Sequence, residues 1–211
     1  MPELPEVESV RRGVDEWTAG TTITGAEVAD PRILGTTSQR RIDPSAASEF
    51  VTAVTGSHIL GAERRGKFMW LSLGEGTASS AELGILVHLG MSGQLRIHTP
   101  GEEIHRHTRA ILHLDSEREL RFVDQRIFGH IGVQPLVHGY GRLVPASAVH
   151  IAADPLEPAF DPERVVTELA KKRTAIKAAL LDQTLISGIG NIYADEALFR
   201  AGVHPLAVPA R

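Results

Sequence analysis

The sequence predicts an α+β protein in which an amino-terminal, mostly antiparallel β region of the sandwich or barrel kind, with flanking helices, is followed by a smaller helical module. Three observations carry this. Between about residues 22 and 133, seven short apolar or alternating runs are separated by Gly- and Ser-containing breaks. From residue 161 onward the apolar residues return at three- and four-residue steps, the period of helices. Between the two, Pro135, Gly139, Gly141, Pro145, Pro155 and Pro158 give the composition of a connector. The expected division is 1–135, a linker over 136–160, and 161–211, and 211 residues suit one large domain or two small ones.

Taken in order, Leu4, Val7, Val10, Val14 and Trp17 place one apolar face on a helix over 4–17, with Pro5 suited to a first turn that also carries acids. Strands are expected at 23–28, 59–62, 67–73, 83–89, 94–98, 110–114 and 119–123, interrupted by a helix near 46–55 after Asp43-Pro44. Beyond the connector, Asp161-Pro162-Glu163 is a helix start, with Val165, Val166, Leu169 and Ala170 as its apolar side. A second helix is expected over 174–182 and a third over 191–201, stopped by Gly202 and then Pro205.

Composition narrows the function classes. Apolar residues make up 42% and charged residues 23%, the balance of a globular chain rather than a disordered one. With no cysteine among the 211 residues, disulfides, a cysteine nucleophile and thiolate metal sites are excluded within them, which fits a cytosolic protein. The longest stretch free of Asp, Glu, Lys and Arg, 127–141, is too short and polar to span a bilayer. Glu3, Glu6 and Glu8 stand where a signal peptide would be positive, so secretion is not expected.

A net charge of −4 does not by itself mark a nucleic-acid binder. The distribution differs. Of the 22 basic residues 18 are Arg, clustered at Arg11-Arg12, Arg40-Arg41, Arg64-Arg65-Lys67 and His105-Arg106-His107-Arg109, with Lys171-Lys172-Arg173 and Lys177 further on. The planar guanidinium fork suits phosphate, although a G- and C-rich genome would give the same excess without function.

Four groups could carry chemistry. Removal of Met1 before a small residue would expose Pro2 as a secondary amine, partly unprotonated at neutral pH and able to attack an aldehyde-like or acetal carbon. Glu3 would then be placed to move the proton, although Pro and Glu also simply begin helices well. In 185–196 a Gly188-x-Gly190 turn precedes a helix whose N–H groups and Asn191 side chain could hold a phosphate, with Lys171, Lys172, Arg173 and Lys177 nearby. Met91 in a Gly-flanked turn, Arg126 and Phe128 are of the types that refill a base stack from which a nucleotide has been drawn; the alternative is that Met91 and Phe128 are core. His105-x-His107 has no carboxylate at ligand spacing, so no metal site is expected.

Together and in this order, Met1-Pro-Glu-Leu-Pro-Glu6, Arg65-Gly-Lys67, His88-Leu-Gly-Met-Ser-Gly93 and Gly188-Ile-Gly-Asn-Ile-Tyr-Ala-Asp-Glu196 resemble the formamidopyrimidine-DNA glycosylase family of bacterial repair enzymes, over nearly the whole chain. Leu4, where the related endonuclease VIII branch usually has Gly, and Met91 resemble the formamidopyrimidine branch. The resemblance implies a β-sandwich catalytic domain, a helix-two-turn-helix module, and a bifunctional glycosylase and abasic-site lyase that removes oxidised purines in base-excision repair. It implies Pro2 as nucleophile, Glu3 and Lys67 as proton donors, and Glu6 as a supporting carboxylate. It further implies that His105, Arg126, Lys177 and Asn191 contact DNA, and that Met91, Arg126 and Phe128 fill the stack, Arg126 facing the orphaned cytosine. Its partner would be double-stranded DNA with oxidised purine or abasic sites, the protein acting as a cytoplasmic monomer with no membrane partner.

Members of the family continue into a ribbon holding one structural zinc through paired Cys-x-x-Cys motifs. No such ligands exist in these 211 residues, so no cofactor is expected within them, and the sequence reads as a truncated product, a fragment or a divergent form. Two rival readings are a catalytically impaired damaged-DNA-binding remnant and a tautomerase-like enzyme with an N-terminal proline base, the latter giving no reason for the basic helical module.

Overall fold

A computed structural model of the chain describes residues 2–35 and 43–209; Met1 and the Arg40-Arg41 cluster lie outside the described residues. Helix α1 (Leu4–Thr18) opens as a capping box in which the Glu3 N–H donates to Glu6 Oε2 at 3.0 Å. Val7 and Val14 are buried on its inner face, whereas Trp17, placed on that face by spacing, is 47% exposed with the Arg118 guanidinium 5.1 Å over its ring. In that last turn Thr18 is buried, while Trp17 is turned outward and finds a cation instead of a pocket.

Among the described residues, nine strands form two antiparallel sheets. One runs β1 (Ile23–Val28), β6 (Thr108–Leu114), β7 (Arg118–Val123), β5 (Gln94–His98). The other runs β2 (Ile59–Arg65), β3 (Phe68–Leu73), β4 (Leu83–His88), β8 (His130–Gly139), β9 (Arg142–Pro145). Ile23, Leu112, Leu120 and Phe122 of the first sheet meet Ile59, Leu71, Ile85 and Val87 of the second in one buried core, which makes the architecture a sandwich. Helix α2 (Ala46–Val54) closes one end with Phe50 and Val54.

The segment expected to be a connector from 136 is strand up to 145. β8 pairs with β4 as far as Pro135, which lies opposite Leu83, and from Leu136 it pairs with β9. Tyr140 (φ 50°) and Gly141 (φ 79°) make a two-residue hairpin loop with both central residues left-handed, the geometry that matches strand twist. Composition misleads here because the proline sits where the strand changes partners and the glycines sit at a turn. Nor is the rest of the stretch loose, since Ala152 and Asp154 are wholly buried.

Those buried groups tie the sandwich to the helical module. Arg64 and Arg65, part of a basic cluster for which the sequence leaves phosphate binding and codon bias both open, are 5% and 0% exposed. Arg64 donates through both terminal nitrogens to Asp154 (2.6 and 3.2 Å), and Arg65 Nε is shared by both Glu157 oxygens at 3.2 Å. A buried charge must be paired, and these pairs are made with the stretch of chain that leads into α3 (Pro162–Lys171). Asp161 caps that helix, accepting the Arg164 N–H at 3.0 Å. Val165 packs with Leu185 and Ile186, but Val166, expected on the apolar side, is 65% exposed. Helix α4 is shorter than expected, Ile176–Leu180, and α5 (Asn191–Ala201) ends at Gly202 in the left-handed region (φ 64°). Among the described residues no helix is long and apolar enough to cross a membrane.

Candidate active site and nucleic-acid interface

Three segments far apart in sequence meet at the start of α1. The Glu3 carboxylate, 3% exposed, accepts N–H bonds from Gly190 (2.8 Å), Ile192 (2.9 Å) and Tyr193 (3.1 Å), so it occupies the amino end of α5 where unpaired N–H groups and the helix dipole favour an anion. The Leu4 N–H donates to the Gly188 carbonyl at 3.1 Å. Lys67, in the turn between β2 and β3, donates from Nζ to the Ile189 carbonyl at 2.9 Å. Burial pushes the Lys67 ammonium below the usual lysine value, opposed by the nearby Glu3 charge. Pro2, half-buried, is joined directly to Glu3, and Glu6 is exposed with its Oε1 3.5 Å from the Tyr193 hydroxyl.

Glycine is required at this junction. A Cβ on Gly190 would lie 2.4 Å from the Glu3 carboxyl carbon, and one on Gly188, which is also left-handed, 2.8 Å from Leu4 Cβ. Three of the amides that the sequence offers to a phosphate, those of Gly190, Ile192 and Tyr193, are taken by Glu3, and Asn191 stands exposed beside them.

A second group of candidates clusters at the ends of β4 and β7. Met91 (49% exposed) and Phe128 (37% exposed) project to solvent with Arg126, so neither apolar side chain is core. His88 packs between Phe68 (4.9 Å) and His130 (5.2 Å, stacked), and its Nδ1 accepts the Gly90 N–H at 3.2 Å. Burial first, then His130 and Lys67, holds the His88 ring down at about 4, so it is neutral at pH 7. His105 is exposed and its Nδ1 accepts the His107 N–H at 3.2 Å.

The basic face of the helical module is largely neutralised within the protein. Lys171 pairs with Glu168 (2.6 Å), Lys172 with Asp182 (2.8 Å) and Lys177 with Asp195 of α5 (2.7 Å). Sequence reasoning misses Asp124, Asp154 and Glu8. Asp154 also accepts the Gly66 N–H at 2.9 Å, beneath Lys67, and Glu8 binds Arg11, Arg12 and Arg64. Burial raises Glu8, but those three guanidinium groups outweigh it and hold the carboxyl at about 2. Isolated acids carry no sequence signal, because their importance lies in partners up to 90 residues away. Among the described residues no three His, Asp or Glu side chains are grouped to hold a metal.

The two-sheet sandwich whose chain start is locked to a helix-turn module is an architecture shared with DNA glycosylases of base-excision repair. Residues 1–131 match the model of the formamidopyrimidine-DNA glycosylase N-terminal domain, and residues 151–211 that of the formamidopyrimidine-DNA glycosylase H2TH domain. The chain belongs to the formamidopyrimidine-DNA glycosylase family. It is 49% identical over 204 residues to the formamidopyrimidine-DNA glycosylase of Rhodococcus erythropolis, covering 97% of this chain and 67% of that one. To that of Thermobifida fusca it is 48% identical over 213 residues, covering 97% and 68%. It thus spans about two thirds of the length of these curated relatives. Among solved structures, the Lactococcus lactis Fpg complex with abasic-site DNA superposes with a TM-score of 0.79 at 28% identity, covering 99% of this chain and 71% of that one. The Lactococcus lactis complex with DNA containing an oxidised pyrimidine gives 0.79 at 29%, covering 99% and 71%.

Proposed function

We propose that this chain is a bifunctional DNA glycosylase and abasic-site lyase acting on oxidised purines in duplex DNA, with the Pro2 nitrogen, freed by loss of Met1, as nucleophile. The amine attacks C1′ of an extruded nucleotide, the glycosidic bond breaks with its electron pair leaving on the base, and the nitrogen is left as an iminium on the opened sugar. Proton loss from C2′ then expels the 3′ phosphate by β-elimination, and δ-elimination releases the 5′ phosphate. Glu3 serves the sugar-opening proton transfer, Lys67 donates a proton and meets a phosphate, and Glu6 supports the amine.

Met91, Arg126 and Phe128 fill the vacated stack, Arg126 towards the cytosine, while His105, Lys177 and Asn191 meet backbone phosphates. The catalytic layer, as proposed, runs through β9 to Pro145, and the DNA-holding module begins at 161. The protein works as a monomer in the cytoplasm.

One observation supports this most: the first residues of the chain are fixed against the start of α5 by the three N–H bonds to Glu3, and Lys67 is bonded to the Ile189 carbonyl of the same junction, so Pro2, Glu3 and Lys67 are drawn to one place. Borohydride added to Met-processed protein and a duplex containing 8-oxoguanine should trap a covalent complex, lost in Pro2→Gly. Failure of the intact protein to form any adduct overturns the assignment of Pro2; retained damage binding without an adduct would fit a binding remnant instead.

A further inference from the structure

Asp124, at the end of β7, is 0% exposed and has no part in the reaction just described. Its carboxylate reaches into two turns: Oδ1 accepts the Ser92 hydroxyl (2.5 Å) and the Arg126 N–H (3.1 Å), and Oδ2 accepts the Gly129 N–H (2.8 Å). Its main chain holds a third segment, donating to the His107 carbonyl (2.9 Å) and accepting Arg109 Nε (2.8 Å). The two turns also interlock. A Cβ on Gly90 would lie 2.5 Å from the Phe128 carbonyl carbon, and one on Gly129 2.7 Å from the His88 carbonyl oxygen.

Between Arg126 and Phe128, Ile127 has φ 56°, a left-handed conformation that is costly for a β-branched residue and persists only when its flanks are over-determined. Both flanks are fixed by Asp124, at the Arg126 and Gly129 amides. Side chains that must enter a base stack do so more readily from a base already ordered, because ordering a loop during binding subtracts from the interaction gained.

We propose that Asp124 is the positioning residue of the base-extruding wedge, holding the Met91 turn and the Arg126–Phe128 turn as one rigid unit before DNA arrives. This rests on the reading that those side chains fill the stack. Asp124 acts on extrusion of a paired lesion and not on the chemistry at the sugar, so its loss separates two substrates that a general loss of folding would affect alike.

The test uses the full chain in single-turnover reactions on an 8-oxoguanine duplex and on a duplex carrying a preformed abasic site. Asp124→Asn should slow excision of the paired base about tenfold, as expected for a buried hydrogen-bond set left mismatched, while cleavage at the abasic site changes less than about twofold. A 2-aminopurine reporter beside the lesion should show the delay before the chemical step. Ser92→Ala, a milder change, should move the same ratio in the same direction, and it decides the matter if Asp124→Asn fails to fold. Equal losses on both duplexes, or an unchanged ratio in a folded variant, overturn the proposal. Met91→Ala and Phe128→Ala are the separate check: if neither slows extrusion, the wedge reading itself is wrong, whatever Asp124 does.

Discussion

Lys67 stands half-buried with its ammonium on the Ile189 carbonyl, and burial lowers its affinity for a proton. If its charged form is the one that meets phosphate, the alkaline limb of kcat/KM should fall at a pH below the ordinary lysine value of 10.5. Lys67→Arg, always protonated, should lose that limb while keeping part of the activity; an unchanged limb would show that another group titrates. Gly190 is the complementary case. Adding a methyl 2.4 Å from the Glu3 carboxyl carbon must displace that carboxylate from the α5 amides it accepts from, so Gly190→Ala should cost about 1 to 3 kcal/mol by denaturant melts and most of the trapping yield. At this scale Pro2, Glu3 and Lys67 are legible in the sequence because their residue types and order are distinctive. Asp124 and Asp154 are not, because a lone acid shows its worth only through amides and guanidinium groups that folding brings to it.

Among elements, α5 has two competing partners for its charges. Its amino end is closed by Glu3, and Asp195 in its first turns holds Lys177 at 2.7 Å. Releasing Lys177 to a phosphate means breaking that pair, so Asp195→Asn should tighten binding to undamaged duplex roughly two- to fivefold at low salt, an advantage that fades as salt rises. Fluorescence anisotropy over a salt series measures it, and weaker binding would show that Asp195 instead orients the lysine. Strands β1 and β5 and helix α5 are readable to the residue because apolar periodicity and flanking breaks agree there. β8 and β9 are hidden, since Pro135 marks a change of partner strand and Tyr140-Gly141 a tight hairpin, and both look like linker to a composition count. The period also places Trp17 and Val166 inside, but each is turned to solvent beside a buried neighbour, Thr18 and Val165, because a helix covered on one side only buries a narrower stripe than its apolar residues mark out.

For the molecule as a whole, stability should depend on pH through the stacked histidines paired at one end of β4 and β8. Burial holds His88 at about 4 and pushes His130 down in the same direction, both below their unfolded value of 6.5. The unfolded chain therefore binds protons first as pH falls: the stabilisation from keeping His88 neutral is complete above about 6.5 and is lost progressively down to about 4, at most on the order of 3 kcal/mol. Thermal melts between about pH 7 and pH 4.5 should show a falling midpoint, flattened in His88→Gln, in a window above that where Glu8 and Asp182, each held at about 2, begin to matter. The bond from Gly190 to Glu3 has a temporal meaning as well. It spans 187 positions, so the residues that leave the ribosome first wait for some of those made long afterwards before their acid is in place. A nascent chain that has not yet reached the Gly-Ile-Gly turn carries Pro2, the proposed nucleophile, but not the partner that fixes the residues around it.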